Sequence, residues 1–283
     1  MSEQTRHSSE ADMLSIMLGQ FSPTASLFFS GNFCGSLEHR DGDGGYVHLV
    51  RRGPLRLKMA AGAEQLICAP SLVLLPRATR HTVESSSCAG AELVCARLDF
   101  ADAQANPILF GFPEMLIVPL DELDGSEATL KLLFDEAFAR RFGHEAAVNR
   151  LVEVLMILLL RHCLAKGYVS SGLLGGLADP KIARSLEAMH LKPALEWTVE
   201  RLADTAGMSR ANFAAAFKTH VGVSPGDYLT MLRVNKAKQA LLSGKHLKTV
   251  AAQVGYRSPT AFARVFLRRV GCNPRDFIRA ARA

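Results

Sequence analysis

The sequence predicts an α+β chain: a β-barrel of short strands with flanking helices, followed by an all-α domain. Three observations predict it. Between Leu27 and Phe100 the apolar residues come in short runs broken by Gly, Asp and Pro, the pattern of a sandwich or small barrel. After Asp121 the period becomes helical. From Trp197 to Arg279 one unit occurs twice at an offset of about fifty residues, and self-similarity at a fixed period is a fold-level signal.

Taken in order, the residues up to about Pro23 are polar, and partial order is expected at the start. Glu3, Glu10 and Asp12 interrupt any signal-like apolar core, so a cytoplasmic protein is expected. Tyr46–Val50, Leu55–Met59, Leu72–Leu75 and Leu93–Leu98 read as strands. The breaks between strands include Asp41-Gly42-Asp43-Gly44-Gly45 and Ala61-Gly62. A helix is expected over Ala128–Phe142 and another over His144–Ala165. The second carries Val148, Leu151, Val152, Leu155, Leu158 and Leu159 on one broad face, widened by Met156, Ile157 and Leu160, so it must be buried on more than one side. Its most apolar run, Val152–Leu160, is too short to span a bilayer before Arg161 and His162, and no membrane contact is expected. Gly167–Gly176, rich in Gly and Ser and without a period, reads as linker. Asp179 as N-cap and Pro180 at the first helical position start a further helix, which runs to about His190 before Lys192-Pro193 ends it. The expected division is 1–165 for a first domain, 166–178 for a linker and 179–283 for a second domain.

The repeated unit is explicit. Leu202-Ala203-Asp204-Thr205-Ala206-Gly207-Met208 is echoed by Val250-Ala251-Ala252-Gln253-Val254-Gly255-Tyr256. After each Gly comes a Ser, Ser209 or Ser258, and then a Phe pair, Phe213 with Phe217 or Phe262 with Phe266. Gly ends the first helix because it takes the left-handed turn cheaply. The Ser hydroxyl is expected to cap the second helix, and Pro259 suits its first position. Phe residues four apart share one buried face. Helix, tight turn and capped helix make a helix-turn-helix, whose second helix is built to enter the major groove. Two in register make the reading specific.

Charge agrees with this. From Ala194 onward there are 15 Lys and Arg against 5 Asp and Glu, whereas the preceding residues carry 18 against 22. A segregated basic domain is the electrostatic footprint of phosphate binding, so double-stranded DNA is the expected partner. Hydrophobic residues at 48% and charged residues at 21% describe a globular chain rather than a disordered one. The 6 cysteines are expected to be mostly reduced thiols, and with no C-x-x-C pair a structural zinc ribbon or finger is not expected.

At the paired units the chain resembles the AraC/XylS family of transcription regulators, including the turn Gly255-Tyr256-Arg257-Ser258 and the stop Gly271-Cys272-Asn273-Pro274. The resemblance implies a seven-helix unit in which a central helix, about Pro225–Leu242, joins two recognition helices. Those helices would read major-groove turns roughly 34 Å apart. Arg264 matches the position of a groove-facing Arg, with Thr260 and Ala261 at neighbouring contact positions, and Arg bidentate to guanine is the commonest specific contact. Arg257, Ser258 and Arg268 complete that set. The first recognition helix departs from the pattern: Arg210-Ala211-Asn212-Phe213-Ala214-Ala215 has alanines where relatives place polar readers. Asn212 suits adenine and the methyls of Ala211, Ala214 and Ala215 suit thymine, while Arg210, Lys218 and His220 look like phosphate contacts.

The run His48…Gly53…Pro70…Leu74-Leu75-Pro76-Arg77…His81 resembles the cupin-like sensory domain of one branch of that family. The enclosed apolar interior of a barrel is the usual home of a small ligand, so a small-molecule effector is expected there, with His48 and His81 as polar contacts. The resemblance implies a homodimer made by the helices after the barrel, and RNA polymerase as a partner if the regulator is an activator. Enzymatic cupins use several His and a carboxylate, but Leu49-Val50-Arg51-Arg52 offers neither, and two imidazoles leave a divalent ion under-coordinated. His39 is a possible third whose place spacing does not fix. No cofactor, no metal and no enzymatic activity are expected, with a cupin metalloenzyme as the competing class. Cys34, Cys88 and Cys95 resemble the thiols of an oxidant-sensing branch, which supplies the other reading of the sensor. Neither Cys34 nor Cys88 has an adjacent Lys or Arg in the sequence.

Overall fold

The computed structural model describes residues 13–21, 23–39, 44–85, 90–100, 108–109, 111–169 and 171–281 of the 283. They form two compact units, Phe21–Leu174 and Gly175–Ala283, with residues up to Gln20 grouped with the second.

In the first unit the strands are β1 (Pro23–Phe33), β2 (Gly35–His39), β3 (Gly45–Arg52), β4 (Leu55–Met59), β5 (Glu64–Ile67), β6 (Ser71–Leu75), β7 (His81–Ser85), β8 (Ala91–Phe100) and β9 (Leu116–Pro119). They make a five-stranded sheet, β1-β8-β3-β6-β9, and a four-stranded one, β2-β7-β4-β5, with every ladder antiparallel. The core is shared between them: Val50, Val73, Leu75, Leu93 and Cys95 from the first sheet pack with Leu55, Leu57, Ile67 and Val83 from the second. The expected barrel is thus two facing sheets, with no ladder closing them among the described residues. The chain changes sheet at Cys34, between the end of β1 and the start of β2. All five residues of β6 are buried, so it lacks the alternation of a half-exposed strand.

Helix α1 (Met13–Phe21) precedes the strands in the chain, and the helices α2 (Glu127–Ala139) and α3 (His144–Lys166) follow them. The reading of α2 to Phe142 overshot: Arg140 takes a left-handed C-cap with φ of 48°, which closes the helix earlier. These helices cover the free edge of β1. Asn149 Oδ1 accepts from the Leu27 amide at 2.7 Å and Glu153 Oε1 from the Ala25 amide at 3.2 Å. Arg140 donates to the Ser30 carbonyl at 2.8 Å, and the Ser30 hydroxyl donates to the Ala137 carbonyl at 3.1 Å. A strand edge that would otherwise recruit another strand is therefore occupied.

The stretch read as linker is partly structured. Residues Gly172–Ala178 form α4, with Leu173 and Leu174 buried. Gly176 has no room for a side chain, since a Cβ would lie 2.8 Å from Val221 Cγ2 and 2.9 Å from Leu186 Cδ1. Short apolar residues that look aperiodic in sequence are here a closely packed helix.

The second unit continues with α5 (Pro180–Leu191), α6 (Val199–Ala206), α7 (Arg210–Val221), α8 (Pro225–Leu242), α9 (Leu247–Gln253), α10 (Pro259–Val270) and α11 (Pro274–Ala280). Asp179 caps α5 as expected, accepting from the amides of Lys181 and Ile182 at 2.8 and 3.0 Å. The two repeated turns close alike. Gly207 and Gly255 sit at φ of 67° and 85°, and the next amides reach back to Ala203 and Ala251, each at 2.9 Å. Ser258 caps α10 through its hydroxyl, which accepts from the Ala261 amide at 3.1 Å. Ser209 departs from expectation: it holds the N-cap backbone conformation without a side-chain cap bond. Around α8, Phe213, Phe217 and Tyr228 form one aromatic core, and Phe262 and Phe266 pack with Val234, Ala237 and Leu241 in another. Arg233 on α8 donates to the carbonyls of Pro193 and Leu195 at 2.8 and 2.9 Å, tying the α5–α6 connection to the central helix. No helix among the described residues is long and apolar enough to cross a membrane.

Candidate functional site

The repeat sets out two exposed helix faces. On α10, Thr260, Arg264 and Arg268 are four residues apart and therefore stack on one face, with Ala261 beside them; all four are exposed. Phe262 and Phe266 hold the opposite face in the core with no exposure. Arg264 and Arg268 make no hydrogen bond or ion pair with another described residue, so both guanidinium groups keep all their donors for a ligand. Leu267, which the sequence reading passed over, is 49% exposed and three residues from Arg264. Arg257, just before the helix, pairs with Glu196 at 3.2 Å across a fully solvated gap, a contact of little energetic weight. Ser258 is half-buried.

On α7, Ala211, Ala215 and Lys218 share an exposed face with Asn212 next to it, while Ala214 is half-buried. This surface is smooth and short of donors. Arg210 at its N-terminal end lies 2.8 Å from Glu200 on α6, so a phosphate there would compete with a carboxylate. His220 lies 3.7 Å from Asp179 rather than standing clear in solvent. Two faces of the same construction thus carry unequal chemistry.

In the first unit, His48 on β3 and His81 on β7 converge, their Nε2 atoms 2.9 Å apart. Folding adds a partner whose place the sequence does not fix: His39 stands opposite His81 in the β2–β7 ladder, and their rings stack at 4.6 Å. All three are buried, with Phe28 and Tyr46 packed around them. The Thr79 carbonyl can only accept, so His81 donates to it from Nδ1 at 2.7 Å and turns a bare Nε2 toward His48. His39 Nε2 and His48 Nδ1 are buried with no hydrogen-bond partner. Burial, and then the neighbouring His81, lowers His39 to about 4 and His48 well below its ordinary value. Burial lowers His81 too, against the Thr79 bond that favours its protonation. With His81 Nε2 bare, His48 donates to it from Nε2, which leaves the buried His48 Nδ1 a lone pair without a partner.

The cysteines fall into different settings. Cys34 is exposed at the sheet-changing corner. It lines a cavity of about 600 Å³ with Pro54, Arg56, Leu66, Glu84 and Ser85. Cys95 is buried in the shared core, and burial pushes its thiol far above the ordinary range, which is the opposite of activation. It pairs in register with Phe29, and Cys34 lies five residues further along, on the order of 15 Å away, too far to bridge directly. Cys88 lies outside the described residues.

Comparison with known proteins gives two domain matches. A model described as Cupin matches residues 12–165, and one described as Helix-turn-helix domain matches residues 202–280. An uncharacterized HTH-type transcriptional regulator of Haemophilus influenzae is 34% identical over 149 residues, covering 52% of this chain and 50% of that one. A putative AraC-like transcription regulator of Streptomyces lividans is 33% identical, covering 65% and 62%. The chain thus spans between half and two thirds of the length of these two relatives. The RCS-specific HTH-type transcriptional activator RclR of Escherichia coli K12 is 29% identical over 236 residues, covering 81% of this chain and 82% of that one.

Proposed function

We infer a function from one premise: the chain belongs to the AraC-type helix-turn-helix regulators that carry an N-terminal cupin domain. It acts as a sequence-specific DNA-binding transcription regulator, not an enzyme, in the cytoplasm, and its N-terminal unit senses a small-molecule effector. The observation that carries the reading is the pair of exposed recognition helices, one of which presents Arg264 and Arg268 with no partner among the described residues. The DNA-facing set is Arg210, Ala211, Asn212, Ala214, Ala215 and Lys218 on the first helix. On the second it is Arg257, Ser258, Thr260, Ala261, Arg264 and Arg268. The effector contacts are His48 and His81, whose buried neighbourhood leaves polar atoms without partners. A homodimer is formed through α3, where Leu151, Val154 and Leu158 follow one another at helical spacing without full burial. In the activator role the further partner is RNA polymerase.

Selection of duplexes from a random pool by the full chain, followed by competition on the enriched sequence, tests the reading. A recurrent motif bound far more tightly than random duplex is the expected result. Enrichment of nothing beyond length would sink it, because phosphate contacts alone carry no sequence information.

Thiol sensing is the second reading, favoured by the exposure of Cys34 beside a cavity and by the name of the RCS-specific relative. A Cys34→Ser, Cys88→Ser, Cys95→Ser variant that stays folded and loses an oxidant response present in the wild type would put thiols first.

A further inference from the structure

We propose that His39, His48 and His81 together bind one divalent transition-metal ion of the zinc or cobalt class. The donor set is what such an ion needs: three imidazoles from three strands, β2, β3 and β7, with one ligand nitrogen from each lying within 4.8 Å of the other two. Imidazole suits zinc, cobalt, nickel and copper, while oxygen-seeking calcium and magnesium have no ligand here. The His48–His81 Nε2 separation of 2.9 Å is the edge for two ligands at right angles with metal–nitrogen bonds of about 2.0–2.1 Å. A tetrahedral ion asks for about 3.3 Å, so that edge opens by less than about half an ångström. The two edges that His39 makes lie within 4.8 Å, so each closes by at most about 1.5 Å through side-chain adjustment in His39.

Two further features point the same way. His81 donates its Nδ1 hydrogen to the Thr79 carbonyl at 2.7 Å, the outer contact by which a ligating His is held in the right tautomer. His39 Nε2 is buried without a partner, a cost that a metal bond removes. Three protein ligands leave at least one coordination position open, which water or a donor atom of a small molecule can fill. The metal site therefore deepens the sensing role proposed above and rests on that role only for its consequence, since binding of the ion follows from the cluster alone.

The test uses the full-length protein stripped with a chelator and then titrated with Zn2+ and, separately, with Co2+. One equivalent of Zn2+ should bind, and Co2+ should develop visible d–d absorption. His39→Ala, His48→Ala and His81→Ala should each weaken Zn2+ by more than about tenfold, the loss that removal of even an outer-shell partner brings. His39→Gln, at the edge strand β2, guards against a core substitution that merely unfolds the chain. It should keep the wild-type circular dichroism and lose the Co2+ spectrum. Absence of stoichiometric binding by the folded wild type, or binding that survives all four substitutions, overturns the site. Operator affinity with and without Zn2+ is a separate measurement. An unchanged value there counts against metal-linked sensing and leaves the bound ion standing.

Discussion

At the scale of the residue, Arg264 carries the sharpest expectation. Arg264→Ala should cost about 1–3 kcal/mol on the preferred duplex and much less on random duplex, because a guanidinium paired with a base edge reads sequence. Equal losses on both, measured by titration at one salt concentration, would reassign it to phosphate. His190 gives a second expectation. It is buried against the Tyr228 hydroxyl at 2.7 Å, and burial, with Lys236 behind it, lowers it to about 3. In the unfolded chain it takes a proton near 6.5. Its contribution is therefore complete above pH 6.5 and drains away as the pH falls toward 3, at up to about 1.4 kcal/mol per pH unit. Thermal melts followed at Trp197, the chain's 1 tryptophan, should show that slope, and His190→Gln should flatten it. Much at this scale was legible in sequence: the Gly207 and Gly255 turns, the Asp179 cap and the buried Phe pairs follow from local chemistry. His39 was not, because its place depends on β2 lying beside β7, and no local pattern encodes a pairing 42 residues apart.

At the scale of the element, the strands that sequence made legible are those with a mostly apolar run, β3, β6 and β8, or a clean apolar/polar alternation, β4. Those it left unread, such as β2 with its pattern of exposed residues and β5 with one buried residue, have little apolar signal to show. Helix α4 was read as linker for a related reason: Leu173 and Leu174 among glycines give no period within so short a helix. The free edge of β1 yields a prediction. Asn149→Ala leaves the Leu27 amide without its acceptor and should destabilise the first unit by about 1–3 kcal/mol, with added self-association through the uncovered edge. Denaturant titration and light scattering check both parts. Glu153→Gln, which retains an acceptor for Ala25, should sit near wild type, and equal damage from both substitutions would argue against edge protection.

For the whole molecule, the repeat and the charge segregation made the second unit legible nearly helix by helix, whereas the first was legible as a class of fold without its strand order. A fragment from about Leu177 to Ala283 should fold alone and bind DNA more weakly than the full chain if the first unit dimerises. Gel shift with sedimentation of both species tests this, and a fragment that binds as tightly as the parent would remove dimerisation from the account. The β1 strand carries one last consequence. Its register slips between Leu27 and Phe29, leaving Phe28 as a bulge whose ring lies 5.2 Å from His39. On the near side of the slip, the Ala25 and Leu27 amides are gripped by side chains of α3. One strand thus touches the histidine cluster with one residue and hangs from a helix by its neighbours, as a rocker arm rests on a pivot. A guest that displaces the Phe28 ring has a rigid member, not a loop, along which to push that helix. Amide exchange at Ala25 and Leu27, compared with and without Zn2+, would register the stroke, and unchanged rates would mean that the arm does not move.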